Sequence, residues 1–163
     1  MVAILIRNML KNNVQTSSYQ ETVELGRNIG AYLKGGEVIE LRSDLGGGKT
    51  TLVSGLVQGF GSPDPVSSPS FTINYVYSRP DKKQLYHFDF YRLTDAGVVA
   101  NELAEVEGDT DVVVVVEWGE IVHSVLPGVR IIVTISVISD NERKLTFEYD
   151  DTFAYLFTNL KRV

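Results

Sequence analysis

The sequence has no cysteine and no long apolar run. Without cysteine it offers neither a disulfide framework nor a thiolate metal site. Its run of five valines, residues 112–116, falls far short of the roughly 20 residues that cross a bilayer and is typical of a buried strand. No opening segment combines a charged start, an apolar core and a cleavage site. We therefore expect a cytoplasmic protein without a membrane segment.

Positive charge is also scarce. The chain carries 15 Lys and Arg against 21 Asp and Glu, a formal net charge of −6. Nucleic-acid-binding faces normally need clustered Lys and Arg, so we expect any RNA to be held by another protein. The 163 residues, 44% of them hydrophobic and 22% charged, are typical of one globular domain spanning residues 1–163.

A phosphate-binding loop is indicated by Ser43-Asp44-Leu45-Gly46-Gly47-Gly48-Lys49-Thr50. This segment lies between a strand-like run, residues 38–41, and a helix-like run, residues 51–60, which is the context that the motif requires. Backbone N–H groups and the helix N-terminus of such a loop cradle phosphates, Lys49 reaches the β- and γ-phosphates, and Thr50 holds Mg²⁺. The pattern has glycine where Ser43 stands, because glycine is the least restricted residue at a tight strand exit.

The remaining pattern predicts alternating helices and strands around this loop. Helices are expected from a capping box at Ser18 and Glu21 to about Leu33, and at residues 95–106, 119–125 and 151–161. Strands are expected at residues 2–6, 38–41, 71–77, 83–89, 112–116, 129–138 and 143–149. Turns at residues 78–82 and 139–142 make two antiparallel hairpins, so the predicted sheet is mixed.

Glu117 directly follows the apolar run of residues 112–116. If that strand runs parallel to residues 38–41, its carboxylate reaches the phosphate end of the sheet. There it would position Mg²⁺ or its waters near Thr50, and the alternative is a solvated acid at a strand end. Trp118, the single tryptophan, would lie beside the site, although core packing is the commoner role for such a residue.

A second acidic candidate lies in His87-Phe88-Asp89-Phe90-Tyr91-Arg92. In a strand, His87, Asp89 and Tyr91 project to one face. Asp89 would orient an attacking water or hold Mg²⁺ through water, and Arg92 would neutralise developing charge. A surface network of these charged side chains explains the spacing equally well.

Ser67-Ser68-Pro69-Ser70-Phe71 follows the loop's helix where many phosphate-loop proteins sense the γ-phosphate. The hydroxyls of Ser68 and Ser70 suit Mg²⁺ or phosphate oxygens, and an ordinary Ser/Pro turn is the other explanation. The sequence lacks the Asn-Lys-x-Asp pattern for guanine, so adenine is the expected base.

Four segments, in this order, resemble the bacterial TsaE (YjeE) family, the ATPase of tRNA threonylcarbamoyladenosine synthesis. They are Asp44-Leu45-Gly46-Gly47-Gly48-Lys49-Thr50-Thr51, Ser68-Pro69-Ser70-Phe71-Thr72, His87-Phe88-Asp89-Phe90-Tyr91-Arg92-Leu93 and Glu117-Trp118. The resemblance spans about residues 25–127. It implies an α/β, P-loop NTPase-like three-layer fold with a mixed, mostly parallel central sheet plus antiparallel hairpins, and ATP/ADP with Mg²⁺ as ligands.

The resemblance also implies roles for individual residues. Nucleotide contacts are expected from residues 44–51 together with Ser68, Ser70 and Trp118. Catalytic roles are expected for Lys49, Asp89 and Glu117. Metal contacts are expected from Thr50, Glu117 and Asp89. The chain departs from the family at Ser43 and Ser70, which replace its usual Gly and Thr, and residues 95–107 match its helical segment poorly.

We therefore expect a Mg²⁺-dependent ATP-binding and ATP-hydrolysing protein required for threonylcarbamoyladenosine modification of tRNA. The family implies that it works with TsaB and TsaD partners and meets tRNA only through them. A small-molecule kinase with the same loop is an alternative, although little sequence remains for an acceptor pocket and lid. A nucleotide-dependent binding switch with negligible turnover is a third.

Overall fold

A computed structural model describes residues 9–67, 72–95 and 97–160. Within those ranges the strands are β1 Met9–Thr16, β2 Val38–Arg42, β3 Asn74–Ser78, β4 Gln84–Asp89, β5 Val112–Glu117, β6 Ile131–Val137 and β7 Arg143–Asp150. The α-helices are α1 Tyr19–Gly30, α2 Lys49–Phe60 and α3 Gly97–Val106, and short 3-10 helices cover Gly119–Val122 and Asp151–Leu156. None of these described helices is long and apolar enough to cross a membrane.

The strands form one sheet in the order β1-β7-β6-β2-β5-β4-β3. The four inner strands β6, β2, β5 and β4 run parallel, and the outer pairings β1 with β7, β6 with β7, and β3 with β4 are antiparallel. The mixed sheet with a parallel centre confirms the predicted fold class. Because β2, β4 and β5 are parallel, their carboxyl ends meet at one edge of the sheet.

Helices cover both faces of this sheet, which completes three layers. Side chains of β5 alternate between them: Val113 and Val115 join the core under α1 and α2, whereas Val112, Val114 and Val116 join the core under α3. Such a run of five valines is stable in a strand because β-branched side chains suit a pleated strand that is buried on both faces.

Several element boundaries differ from the predictions. The strand predicted at residues 2–6 lies outside the described residues, and β1, a mostly exposed strand at the sheet edge, was not predicted. The first hairpin strand, predicted at residues 71–77, covers Asn74–Ser78, because residues 72 and 73 form a bend; residue 71 lies outside the described residues. The helix predicted at residues 119–125 is a 3-10 helix that ends at Val122.

The helix predicted at residues 151–161 was wrong in type and length. The segment forms a 3-10 helix over Asp151–Leu156, and Phe157 has left the helical region with φ −116°. Two tertiary contacts explain the shape: the Phe157 ring stacks on Tyr149 with centroids 4.1 Å apart, and the Tyr155 hydroxyl donates to the buried carboxylate of Glu37 at 2.5 Å.

Glycines bring α1 and α2 into close contact. A Cβ on Gly30 would lie 2.2 Å from the carbonyl oxygen of Leu56, and one on Gly55 would lie 2.1 Å from that of Val23. These distances are shorter than any real Cβ contact, so only glycine lets the two backbones approach this closely. Since α2 begins at Lys49, this packing holds the helix that leaves the phosphate loop.

Gly30→Ala should lower the free energy of unfolding by about 1–3 kcal/mol, or roughly 3–10 °C in Tm, because the helices must separate to admit the methyl group. This cost exceeds the gain of about 1 kcal/mol in helix propensity. Gly128→Ala is the matched control, since a Cβ there would meet nothing within 4 Å. Equal melting temperatures for both variants would contradict the close-packing argument.

Candidate functional site

The loop between β2 and α2 has a backbone shape that requires glycine. Gly46 and Gly48 have φ values of 75° and 106°, in the left-handed region that side-chain-bearing residues avoid. Gly48 is the N-cap of α2, and no side chain caps that helix end. The N–H groups of the first turn are thus left for another acceptor, which makes this end suitable for an anion.

Ser43 occupies the strand exit without strain. Among the described residues, only Lys82 and Trp118 combine a positive φ with a side chain, so the position of Ser43 does not need glycine. The Ser43 hydroxyl donates to the Asp44 carbonyl at 2.7 Å. A Cβ on Gly47 would lie only 1.8 Å from the oxygen of this hydroxyl. The departure from the motif is therefore compatible with the loop, and a side chain at position 47 would require the Ser43 side chain to move.

Lys49 projects back into the loop. It is only 6% exposed, and its ammonium donates to the carbonyl oxygens of Ser43 and Asp44, both at 3.2 Å. The same ammonium lies 4.5 Å from the centroid of the Trp118 ring, which packs on Tyr91 with centroids 5.0 Å apart. Trp118 therefore both packs and faces the charged group of the loop.

The two predicted carboxylates are neighbours. Asp89 ends β4, Glu117 ends β5, and the parallel register pairs them directly. Glu117 is 3% exposed, and its Oε1 lies 2.8 Å from Nε2 of His87. Asp89 is half-buried and accepts the N–H of Tyr91 at 3.0 Å. The parallel pairing thus places both acids at the carboxyl edge of the sheet.

Burial raises the pKa of Asp89 above its ordinary value, and the charge of Glu117 raises this pKa further. The hydrogen bond from the Tyr91 N–H, together with His87 and Lys49, opposes part of this rise in pKa. The carboxyl of Asp89 consequently holds a proton more tightly than a solvated aspartate does, as suits a group that accepts a proton during a reaction.

His87 was given no separate role by sequence analysis. Its side chain is fully buried, so His87 is not part of a surface network of charged side chains. Its Nε2 contacts Glu117, while its buried Nδ1 has no hydrogen-bond partner among the described residues. In the sequence, His87 stands out as a polar residue between the apolar residues Tyr86 and Phe88. Its contact with Glu117 could not be predicted from this pattern, because the contact depends on which strand lies beside β4.

These groups surround one cleft of about 660 Å³, within the range of small-molecule sites. The cleft is lined by Leu45, Gly46, Gly47, Gly48, Lys49, Thr50, Thr51, Thr72, Ile73, Asp89, Tyr91, Arg92, Leu93, Glu117 and Trp118. Most of the predicted site residues are therefore brought together. Asp44 does not line the cleft but supports Lys49 through its carbonyl, and Ser68 and Ser70 lie outside the described residues.

No group of three or more His, Asp or Glu residues in the described ranges forms a ready-made metal site. The cleft instead brings together the hydroxyl of Thr50 and the carboxylates of Asp89 and Glu117. Such hard oxygen donors fit Mg²⁺, which keeps several waters and binds through one or two carboxylates and substrate phosphates.

Asp89→Asn should raise the stability of the ligand-free protein at neutral pH. The raised pKa means that the folded state binds this proton more tightly, so stability falls as pH rises above the ordinary value of 3.8 and stays lower at pH 7. Asparagine removes this penalty and keeps the oxygen that accepts the Tyr91 N–H. Melting temperatures measured without Mg²⁺ should therefore differ from wild type more at pH 7 than at pH 4.

The exposed Asp140, substituted by Asn, is the control for this pH dependence. An Asp89→Asn melting temperature below that of wild type at pH 7 would contradict the raised pKa.

Comparison with known proteins gives a consistent family assignment. The sequence profile of "Threonylcarbamoyl adenosine biosynthesis protein TsaE" matches residues 16–145. The "tRNA threonylcarbamoyladenosine biosynthesis protein TsaE" of Treponema pallidum is 36% identical over 133 residues, covering 79% of this chain and 94% of that protein. Its counterpart in Bacillus subtilis is 35% identical over 135 residues, covering 82% of each.

The crystal structure of YdiB from Bacillus subtilis matches this fold with a TM-score of 0.71 and 30% sequence identity. The match covers 91% of this chain and 92% of that one. The fold is that of a P-loop NTPase, and the profile match takes in the loop, the acidic pair and Trp118. The chain therefore belongs to the TsaE family, whose members take part in tRNA threonylcarbamoyladenosine biosynthesis.

Proposed function

We propose that this protein binds ATP with Mg²⁺ and hydrolyses it to ADP in the cytoplasm, for threonylcarbamoyladenosine modification of tRNA with a TsaB–TsaD-type complex. One observation carries the proposal: the phosphate loop with Lys49 and the carboxylates of Asp89 and Glu117 line the same cleft. A loop that attracts phosphates and acids that act on water are the two parts that nucleotide hydrolysis needs.

Phosphate binding falls to the loop and Lys49. The uncapped N-terminus of α2 supplies N–H donors, and the buried ammonium of Lys49 supplies a full charge. Lys49 now donates to the carbonyls of Ser43 and Asp44, and phosphate oxygens are stronger acceptors for it. Because this ammonium is largely shielded from water, its attraction for charge that develops on the phosphoryl group is greater than in solution.

Thr50, Glu117 and Asp89 are the residues that would hold Mg²⁺ or its waters. When bound, Mg²⁺ would neutralise the charge on the transferred phosphoryl group. The contact with His87 fixes the direction of the Glu117 carboxylate. Asp89, with its raised pKa, is suited to orient an attacking water and accept its proton.

The charge of the chain supports a protein partner between it and tRNA. A net charge of −6 disfavours direct contact with a phosphate backbone. Thr72 and Ile73, which directly follow residues 68–71 in the sequence, line the cleft. Nucleotide bound there would lie beside Thr72 and Ile73, so a partner that binds this side of the cleft would respond to ATP.

The test is to measure ATP hydrolysis by the protein alone, with a TsaB–TsaD complex, and with candidate small-molecule acceptors. We expect slow Mg²⁺-dependent turnover that the complex accelerates. We also expect the partner complex to bind the protein more tightly when the protein holds an ATP analogue than when it holds ADP. Transfer of phosphate to a small acceptor would overturn the proposal in favour of a kinase. Partner binding that depends on nucleotide, with no turnover in any mixture, would favour a binding switch.

A further inference from the structure

Arg143 joins the phosphate loop to a distant hairpin turn. It begins β7, directly after the turn of residues 139–142 that connects β6 to β7. Its Nε donates to the carbonyl oxygen of Gly47 at 3.0 Å. Its Nη1 donates to the carbonyl oxygens of Ser139 at 2.9 Å, Asp140 at 3.3 Å and Glu142 at 2.9 Å. One guanidinium therefore fixes the loop and the turn to each other.

The contact with Gly47 sets the orientation of the next N–H group. In a planar trans peptide the carbonyl and the N–H point in opposite directions. With the Gly47 carbonyl held by Arg143, the N–H of Gly48 points away from Arg143. Gly48 lines the cleft and is the N-cap of α2, so its N–H is one of the donors available to a phosphate.

A run of three glycines needs such a restraint. Gly46, Gly47 and Gly48 have no Cβ to limit their backbone angles, and each peptide between them can rotate at little steric cost. The side chain of Arg143 lies beside Gly48, since a Cβ on Gly48 would be at van der Waals distance, 3.7 Å, from its Nε. These four hydrogen bonds go to backbone carbonyls and not to a carboxylate, so the positive charge of Arg143 also favours an anion nearby.

We propose that Arg143 is a positioning residue for the phosphates, which holds the Gly47–Gly48 peptide with its N–H directed to the ligand. This role rests on the proposed nucleotide function of the loop. It acts through the backbone of the loop and needs no contact between Arg143 and the nucleotide. Loss of the guanidinium should therefore lower the affinity for every ligand that binds through phosphate groups, whatever base the ligand carries.

The test compares Arg143→Met with wild type by titration calorimetry, using Mg²⁺–ADP and inorganic pyrophosphate as probes. Methionine keeps an unbranched stem but donates no hydrogen bond. Affinity for both probes should fall about tenfold or more, by similar factors, as for loss of a charge-assisted hydrogen bond. Lys144→Met is the matched control, because Lys144 is the exposed next residue, and it should bind both probes as wild type does.

Measurement well below the melting temperature separates positioning from stability, since a purely structural role would lower Tm and leave the affinity of the folded protein unchanged. Wild-type affinity in folded Arg143→Met would overturn the proposal, and Arg143→Ala provides the same comparison if the Met variant does not fold. A wild-type protein that binds neither probe would instead refute the nucleotide function itself.

Discussion

Lys49→Ala should lower kcat/KM for ATP at least a hundredfold, the loss typical of removing a group that stabilises developing charge. The ammonium of Lys49 is buried in the loop, so water cannot replace its charge effectively. Steady-state phosphate release at saturating Mg²⁺, with the partner complex present, measures this loss. The variant should still fold, because α2 is held mainly by its packing on α1 and the sheet.

Lys11→Ala is the matched control for this charge removal. Lys11 lies on β1, at the sheet edge three strands from β2, and its side chain is 57% exposed. The Lys11→Ala variant should hydrolyse ATP at the wild-type rate. If Lys49→Ala kept that rate as well, the loop could not be the phosphate site.

Glu117→Gln and Asp89→Asn should each lose about a hundredfold to a thousandfold in kcat while ADP affinity stays within a few-fold of wild type. Both substitutions keep the shape of the side chain and remove its charge. Carboxylates beside phosphates repel them unless Mg²⁺ intervenes, so these acids contribute to the reaction more than to nucleotide affinity. Turnover assays and ADP titrations on the same preparations separate the two effects.

Glu120→Gln is the control for the acidic pair, since Glu120 is an exposed acid only three residues beyond Glu117. It should leave both turnover and ADP affinity unchanged. Equal losses of turnover and ADP affinity in the Glu117 and Asp89 variants, with folding intact, would assign the acids a binding role instead.

The phosphate loop and the central strands could be predicted because their signals are local. The positive φ values of Gly46 and Gly48 need glycine whatever surrounds them, and an all-apolar run such as β5 needs cover on both faces. The predicted place of Glu117 required β5 to run parallel to β2, and the structure shows this pairing.

Features that depend on distant partners could not be predicted. The polar strand β1 forms because it pairs with β7, more than a hundred residues away in the sequence. The contact of His87 with Glu117 requires β4 to lie beside β5, and the contact of Arg143 with Gly47 requires the β6–β7 turn to reach the loop. No local pattern encodes any of these neighbours.

The direct pairing of Asp89 with Glu117 has a consequence for how the gene can change. Side chains along a strand alternate between faces, so adding or deleting one codon within β4 would turn Asp89 to the opposite face and His87 away from Glu117. Substitutions at the partly buried positions Gln84 and Tyr86 leave this pairing intact. Relatives that retain the acidic pair should therefore vary in sequence along this strand. The spacing between the positions of His87 and Asp89, however, should stay constant.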